Sequence, residues 1–413
     1  MNPLILLPML MSADPLQFQR HEIDAFPAGY QLAVADVNGD GKPDVIALST
    51  DADRVDWYEN PSWRRRPVAR TLKNIDLAPR MIGGKLSFAL ASGFYFNEST
   101  RGGQVELLTP PAKDDELWAR QPIAVDPVPH RLRWGDLDGD GRQELINAPI
   151  FGPGSKGNVA PKPAHLWAFR LPKSLAGAAG TKEGHGAGPS SGPWEVWKID
   201  ETLTVLHGLW VGDLDGDGRD EVLTASFEGI FLFDLQGSGA GARWEKRHIS
   251  AGAPPADKKP GSPRGSSEIM PGKFGRDRPF LAAIEPWHGN EVVVYTSNGL
   301  SPKPSAGGNV GGGWDRRVLD DTLNEGHALV VADFDGDGVD EIIAGWRAGG
   351  GGLRLYRPAD AKGERFTKSD LDPGMPAEGA VAADINGDGR LDLVVVAGRA
   401  NKLVWYEQVR AAK

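Results

Sequence analysis

One short acidic sequence occurs five times in this chain of 413 residues. Each copy has an acid or an amide at positions 1, 3 and 5, glycine at positions 4 and 6, and an acid at position 9. The copies are Asp36–Asp44, Asp136–Glu144, Asp213–Glu221, Asp333–Glu341 and Asp384–Asp392. An internal repeat of this kind predicts a repeat architecture, in which each unit buries its apolar face against its neighbours.

The oxygen spacing within each copy is that of a hard-cation site. Oxygens at positions 1, 3, 5 and 9 and a backbone carbonyl near position 7 can surround Ca²⁺ at roughly 2.3–2.6 Å. The glycines allow the tight turn that this needs. The alternative is an acidic turn without metal. The side chains predicted to bind Ca²⁺ are Asp36, Asn38, Asp40, Asp44, Asp136, Asp138, Asp140, Glu144, Asp213, Asp215, Asp217, Glu221, Asp333, Asp335, Asp337, Glu341, Asp384, Asn386, Asp388 and Asp392.

The segments around each loop read as strands. Ala328–Ala332 before one loop and Glu341–Ala344 after it are short, apolar and rich in β-branched residues. Strand, Asp-x-Asp-Gly-Asp-Gly loop and strand together resemble the FG-GAP or VCBS repeat, and the resemblance covers nearly the whole chain. It implies β-propeller blades with up to five structural Ca²⁺ ions.

The repeat count predicts seven blades. Five repeats carry the loop, and two further segments, 81–91 and 269–284, keep the strand pattern without it. Strand 17–24 matches a fourth strand and the last repeat lacks one, so we expect the N-terminal strand to close the ring and remove its free edge. The prediction is an all-β, seven-bladed propeller over residues 17–413, as a single domain. Its blades are expected at 25–71, 72–124, 125–200, 201–250, 262–320, 321–370 and 371–413 plus 17–24.

Charge and composition limit the partners. The net charge is −10, which five Ca²⁺ ions would cancel, so nothing indicates a nucleic-acid partner. Cysteine is absent, so the chain has no disulfides. Residues 1–16 are apolar without basic residues before the apolar run and are too short for a membrane span, which predicts a short signal peptide or a disordered start. Because calcium is abundant outside the cytosol, we expect export to the periplasm or the exterior.

A second position also recurs in each copy of the repeat, ahead of the acidic loop. Six residues before each loop stand Tyr30, His130, His207, His327 and Glu378, although the chain has only eight histidines. This position begins the innermost strand, about 20 Å from the loop at roughly 3.3 Å per residue, on the opposite face of the disc. In the two blades without a loop, the nearest equivalents are Arg80 and Glu268.

These side chains predict a site at the mouth of the central channel. Imidazoles of His130, His207 and His327 suit Zn²⁺ or another divalent ion with open positions for a substrate. The alternative is that the histidines are inherited inter-blade hydrogen-bonding groups. The turn Glu285–Asn290 and the strand end at Arg347 are expected on the same face. The predicted catalytic residues are His288, Glu285, Glu268, Tyr30, Arg347 and Trp287.

Residues 285–295 together with 321–333 are also similar to the propeller domain of the aldos-2-ulose dehydratases. The resemblance implies metal-dependent elimination of water from a keto-sugar such as 1,5-anhydrofructose. We therefore predict a metal-assisted carbon–oxygen lyase acting on a keto-sugar or another carbohydrate. A non-catalytic, calcium-stabilised propeller that binds glycan or protein is the alternative, and a hydrolase using metal-bound water is a third. The sequence has no Ser/His/Asp motif and no phosphate-binding loop.

Overall fold

The structure, a computed structural model, describes residues 16–410 except 114, 173–174, 176–193, 276–277, 298–312 and 361. Within these residues, 28 strands form seven antiparallel sheets of four strands each. The predicted all-β, seven-bladed propeller is confirmed. The predicted N-terminal signal segment lies, apart from residue 16, outside the described residues. No helix among the described residues is long and apolar enough to cross a membrane.

Six blades are each built from four consecutive strands. Blade 1 contains β2 Gly29–Ala35, β3 Asp44–Ser49, β4 Arg54–Glu59 and β5 Arg64–Ala69. Blade 2 contains β6 Asp76–Ile82, β7 Lys85–Ser92, β8 Gly103–Thr109 and β9 Ala119–Asp126. Blade 3 contains β10 Arg131–Gly135, β11 Glu144–Ala148, β12 Leu166–Arg170 and β13 Glu195–Asp200. Blade 4 contains β14 Gly208–Gly212, β15 Glu221–Ser226, β16 Gly229–Gln236 and β17 Arg243–Ser250. Blade 5 contains β18 Glu268–Lys273, β19 Pro279–Glu285, β20 Glu291–Ser297 and β21 Trp314–Asp320. Blade 6 contains β22 Gly326–Ala332, β23 Glu341–Trp346, β24 Gly352–Pro358 and β25 Phe366–Pro373. Short 3-10 helices lie at Gly239–Gly241 and Gly398–Ala400.

Blade 7 combines strands from both ends of the described chain. β26 Gly379–Ala383, β27 Asp392–Ala397 and β28 Lys402–Val409 are followed in the sheet by β1 Gln17–Ala25. β1 pairs antiparallel with β28, with Gln17 opposite Val409. The N-terminal strand therefore occupies the outer position that a blade's own fourth strand occupies elsewhere.

The apolar cores lie between neighbouring blades. One core cluster joins blades 6 and 7, and others join each further pair of adjacent blades around the disc. The second strand of a blade has a neighbour on both faces, so all six residues of β27, Asp392–Ala397, are buried. This two-sided burial explains why the second strands are continuous apolar runs rather than alternating ones.

Polar contacts at the blade junctions explain the tyrosines that end several third strands. Tyr58 donates to Asp24 at 2.7 Å and Tyr356 donates to Asp320 at 2.7 Å, in each case across to the outer strand of the preceding blade. Asp126 occupies this junction position between blades 2 and 3. Its carboxylate accepts the side-chain amide of Asn147 at 2.9 Å.

The carboxylate of Asp126 destabilises the fold more than the others in this set, because its basic neighbour is His165, whose Nδ1 lies 3.4 Å from Oδ1 and which is charged only when protonated. It is 2% exposed, and burial raises its pKa to about 7, against the opposing effect of the Asn147 hydrogen bond. A carboxyl whose pKa is raised in the fold contributes stability fully below its unfolded pKa of about 3.9, and this contribution is lost as pH rises towards about 7.

Replacing the carboxyl with an amide tests this directly. We expect Asp126→Asn to have a larger free energy of unfolding than the wild type. This difference should increase by about 2 kcal/mol between pH 5 and pH 8. Thermal and urea unfolding at both pH values measure the margin. Asp321→Asn, at an exposed position, is the matched control and should show no such change. A margin equal at both pH values would contradict the account.

Candidate functional site

The inner strands of all seven blades surround a central cavity of about 670 Å³. Its walls combine apolar side chains, such as Trp210, Met270 and Leu329, with polar groups. Glu268, His327 and Glu378, which stand at or just before the starts of inner strands, also line it. The candidate site lies where these strands begin.

A recurrent left-handed turn feeds the chain into these strands. The residue two positions before each site residue has positive φ in four blades: Ala28 (52°), Val128 (48°), Val205 (48°) and Glu325 (56°). This conformation is costly for a β-branched residue such as valine. Val128 and Val205 are buried, so packing holds the turn in place. The turn explains why the site residues recur at one position in the repeat.

Four histidines and one tyrosine meet at the site. His207 Nε2 lies 2.9 Å from His288 Nε2, and the Tyr30 hydroxyl lies 3.0 Å from His327 Nε2 and 3.3 Å from His130 Nε2. Ring nitrogens of His207, His288 and His327 lie within 4.8 Å of one another. The structure thus brings together Tyr30, His288 and all three histidines predicted to bind metal. We call these five residues the histidine cluster.

Hydrogen bonds fix the tautomers of two cluster histidines. His207 Nδ1 lies 3.0 Å from the Ser267 carbonyl oxygen, and His327 Nδ1 lies 2.5 Å from that of Glu378. A carbonyl only accepts, so both Nδ1 atoms carry the proton and both Nε2 lone pairs point into the cluster. A metal-binding imidazole is commonly oriented in this way by its other nitrogen.

Arginines hold the other two histidines differently. Arg131 Nη1 donates to His130 Nε2 at 3.1 Å, and Arg347 Nη2 donates to His288 Nδ1 at 3.1 Å. His288 Nε2 therefore carries the proton and donates to His207. Among the described residues, no group bonds His130 Nδ1, which is buried. The lone pairs set towards a metal are those of His207 and His327, and His288 joins them only if Arg347 releases it.

Glu268 lies behind His207. Its Oε1 is 3.0 Å from His207 Nδ1 and 3.0 Å from Arg131 Nη2. Burial raises the pKa of Glu268, but the charge of Arg131 and the His207 hydrogen bond outweigh it, so the pKa is lowered. The ionised carboxylate compensates Arg131, which is 1% exposed, and orients His207.

The cluster histidines are neutral at pH 7. Burial lowers the pKa of His130, His207, His288 and His327, and for all four the charge of nearby arginines lowers it further. Neutral imidazole is the form that binds a metal or accepts a proton. His130, His207 and His327 are only 1–2% exposed, whereas His288 is half-buried. We had expected these histidines at an open mouth; they instead fill the end of the channel.

Glu285, Trp287 and Arg80 have other surroundings than those of a channel-mouth residue. Glu285 is fully buried and accepts the Tyr295 hydroxyl at 2.5 Å and Arg316 Nε at 2.9 Å, so its known partners lie on the outer strands of blade 5. Trp287 stacks on His288 at 4.4 Å but is 8% exposed within an aromatic cluster, which leaves little ring face for a ligand. Arg80 is not equivalent to the histidines: it bonds Gln143 at the loop end of blade 3.

Sequence reasoning missed Arg131, which bonds His130 and Glu268. Arg131 directly follows His130, but its partner Glu268 is 137 residues away. Arg347 was predicted, but not that it shares Glu325 with Arg399, whose Nη2 lies 2.7 Å from that carboxylate. The signal that the sequence offered was a basic residue, Arg131, directly after a repeated histidine.

The acidic loops fit a divalent cation. In blade 4, Asp213 accepts backbone N–H groups of Gly216 and Gly218 at 2.6 and 3.0 Å, while Glu221 accepts Leu214 N–H at 2.8 Å. Oxygens of Asp213, Asp215 and Glu221 lie within 4.8 Å of one another, as do those of the equivalent residues in blades 3 and 6. Burial and then neighbouring loop carboxylates raise the pKa of Glu221 to about 7. Such convergent carboxylate oxygens are what Ca²⁺ binds.

Comparison with known proteins agrees with this architecture. The β-propeller domain of aldos-2-ulose dehydratase matches residues 102–298, an FG-GAP-like repeat matches 333–395 and an FG-GAP repeat matches 28–55. The chain is thus a seven-bladed β-propeller in which residues 28–55 and 333–395 match FG-GAP repeats. Within that class, it resembles the propeller domain of aldos-2-ulose dehydratase.

The individual relatives share low sequence identity with this chain or match only part of it. Aldos-2-ulose dehydratase of Phanerodontia chrysosporium is 27% identical over 290 residues, which cover 65% of this chain and 29% of that protein. Integrin alpha pat-2 of Caenorhabditis briggsae is 31% identical over 137 residues, covering 32% and 11%. The chain therefore spans less than a third of either curated relative. An Agrocybe aegerita lectin recognising non-reducing terminal N-acetylglucosamine is 14% identical with a TM-score of 0.45, covering 87% of this chain and 81% of that one.

Proposed function

We propose that the chain is a metal-assisted carbon–oxygen lyase that eliminates water from a keto-sugar at the histidine cluster. The observation that carries the proposal is the convergence of the His207 and His327 Nε2 lone pairs beside His288, in a neutral, buried cluster at the end of the cavity. The similarity to the dehydratase propeller supports the reaction class and a carbohydrate ligand.

His207 and His327 would hold a divalent ion such as Zn²⁺, with its remaining positions open to the substrate. The ion would polarise the substrate carbonyl and acidify the neighbouring C–H bond. Glu268 and the Ser267 and Glu378 carbonyls keep both imidazoles in the orientation that binding needs.

His288 and Tyr30 are suited to move the protons. The His288 Nδ1 lone pair is occupied by Arg347. If Arg347 turns to the substrate oxygen, that lone pair is free to accept the C–H proton while the C–C double bond forms. The Tyr30 hydroxyl, now bonded to His327, donates its proton to the leaving oxygen, and the C–O bond breaks to release water.

Product analysis with 2-keto-aldoses and 1,5-anhydrofructose tests the reaction. We expect an unsaturated product and water, with the rate reduced at least about 100-fold in His288→Gln and Tyr30→Phe. His165→Gln, which changes a histidine stacked on Trp167 outside the cluster, is the matched control and should keep the wild-type rate. Hydrolysis without an unsaturated product would contradict the lyase assignment.

Metal content by mass spectrometry tests the site independently of the substrate. We expect about one transition metal per chain in the wild type, lost in the double variant His207→Ala/His327→Ala because both preset lone pairs are removed. Unchanged calcium and circular dichroism in the variant would show that the propeller still folds. A wild-type protein with calcium but no transition metal would overturn the metal site.

A non-catalytic binding propeller is the second candidate, and the 1–2% exposure of His130, His207 and His327 favours it. In that case replacing His288 or Tyr30 would leave ligand binding intact, and no product would form. The same two assays therefore separate the candidates.

We also propose that the acidic loops bind structural Ca²⁺, up to five ions per chain, that the protein is exported to a calcium-rich compartment, and that β1 closes the ring. The loop geometry supports the first, calcium availability the second, and the pairing of β1 with β28 the third. The ion pair between Arg20 and Asp372, at 3.1 Å, links β1 to blade 6 as well.

Truncation tests ring closure. We expect removal of residues 1–25 to lower the melting temperature and to promote self-association, because β28 then has a free edge. Removal of residues 1–15 keeps β1 and serves as the control. Scanning calorimetry and size-exclusion chromatography measure both effects. Equal stability and a monomeric state in the two truncations would contradict closure by β1.

A further inference from the structure

The five acidic loops differ at one position that lies outside them. In each blade, the third strand places one residue opposite the acid at loop position 9. In blade 3 this residue is Arg170, opposite Glu144. In blade 6 it is Arg357, which follows the pair Ile342–Tyr356 and so faces Glu341. By the same register, the residues in blades 1, 4 and 7 are Glu59, Asp234 and Glu407.

The two arginines reach into the predicted cation site. Arg170 Nη2 lies 2.9 Å from Asp138 Oδ2 and also bonds Asp140, while its Nε lies 3.5 Å from Glu144 Oε1. Arg357 Nη2 pairs with Asp335, and its Nε lies 3.9 Å from Glu341 Oε1. Each guanidinium thus bridges the acids at positions 3 and 9, which are two members of the converging oxygen set in that blade.

The three acidic counterparts pair with the fourth strand of their own blade. Glu59 pairs with Arg66 at 2.8 Å, Asp234 with Arg247 at 3.4 Å and Glu407 with His21 at 2.8 Å. Glu407 also accepts the side-chain amide of Asn386, at position 3 of the blade 7 loop, at 3.1 Å. Within the described part of the chain, the loop acids at positions 1 and 9 of these three blades, and Asp215 at position 3 of blade 4, form no ion pair with lysine or arginine, although Asp388 at position 5 of blade 7 pairs with Arg390. Their negative charge is left for a bound cation to neutralise.

We propose that the loops form two classes: those of blades 1, 4 and 7 bind Ca²⁺, whereas Arg170 and Arg357 replace the ion in blades 3 and 6. The inference rests on the proposed binding of Ca²⁺ by these loops. A guanidinium supplies positive charge and several directed donors to the same oxygens. A Ca²⁺ ion at those oxygens would be repelled by the arginine and would lose ligands to it, and ligand charge strongly tunes calcium affinity.

The split has a consequence for where the fold depends on calcium. Asn60 of blade 1 donates to the carbonyl of Ile385, in the blade 7 loop, at 2.7 Å, and its backbone N–H donates to Asp44 at 2.8 Å. The loops of blades 7 and 1 are thus tied together at the junction that contains β1. Calcium removal is expected to loosen this junction and the blade 4 loop, and to leave the loops of blades 3 and 6 ordered.

Calcium stoichiometry tests the proposal on the full chain. After equilibration with calcium and removal of free ion, we expect three Ca²⁺ per wild-type chain, four in Arg170→Gln or Arg357→Gln, and five in the double variant. Arg142→Gln, which removes an arginine that pairs with Asp140 from within the loop, is the matched control and should stay at three.

Hydrogen exchange on the wild type, before and after chelation, locates the ions without any substitution. We expect lost protection at 36–44, 213–221 and 384–392, and unchanged protection at 136–144 and 333–341. No bound calcium would overturn the proposed calcium loops and this inference with them. Four or five ions in the wild type, or three in the double variant, would overturn only the role of the arginines. Lost protection in all five loops would do the same.

Discussion

The packing of one blade on the next is the interaction on which the rest of this structure depends. Each sheet has four strands and cannot bury both of its faces alone, so its second strand is covered only when a blade stands on either side. The apolar clusters lie between blades, and the polar junction contacts of Asp24, Asp126 and Asp320 lie there too. Stability is therefore a property of the neighbouring pair.

The inner strands separate two chemically opposite ends. At one end, neutral imidazoles and buried arginines meet, and the carboxylate of Glu268 offsets Arg131. At the other end, loop carboxylates converge on shared oxygen sites. The inner strands and the central cavity lie between the two sets, so the cation proposed for the loops has no direct contact with the chemistry proposed for His207 and His327.

The repeat made much of this predictable. The loop spacing determined the blade count, and alignment on the loops brought Tyr30, His130, His207 and His327 to one position. The alignment worked because each of those residues lies six positions before an acidic loop, which is easily recognised in the sequence. Arg80 was misassigned because blade 2 has no loop to set its register. The roles of Arg131 and Glu285 depend on partners in other strands or other blades, which no local pattern in the sequence identifies.

The pairing of β1 with β28 has a consequence for how the chain is made. β1 precedes every other described strand in the chain and β28 follows them all, so β1 is without its partner until the strands of all seven blades have been synthesised. Six blades can form in the meantime from strands that are neighbours in the chain. During that interval β1 is an unpaired strand, and its charged residues Arg20, Glu22 and Asp24 are of the kind that discourages such a strand from joining another chain. The sequence of β1 therefore has to limit aggregation while the strand is unpaired, and also has to pair with β28 in the folded propeller.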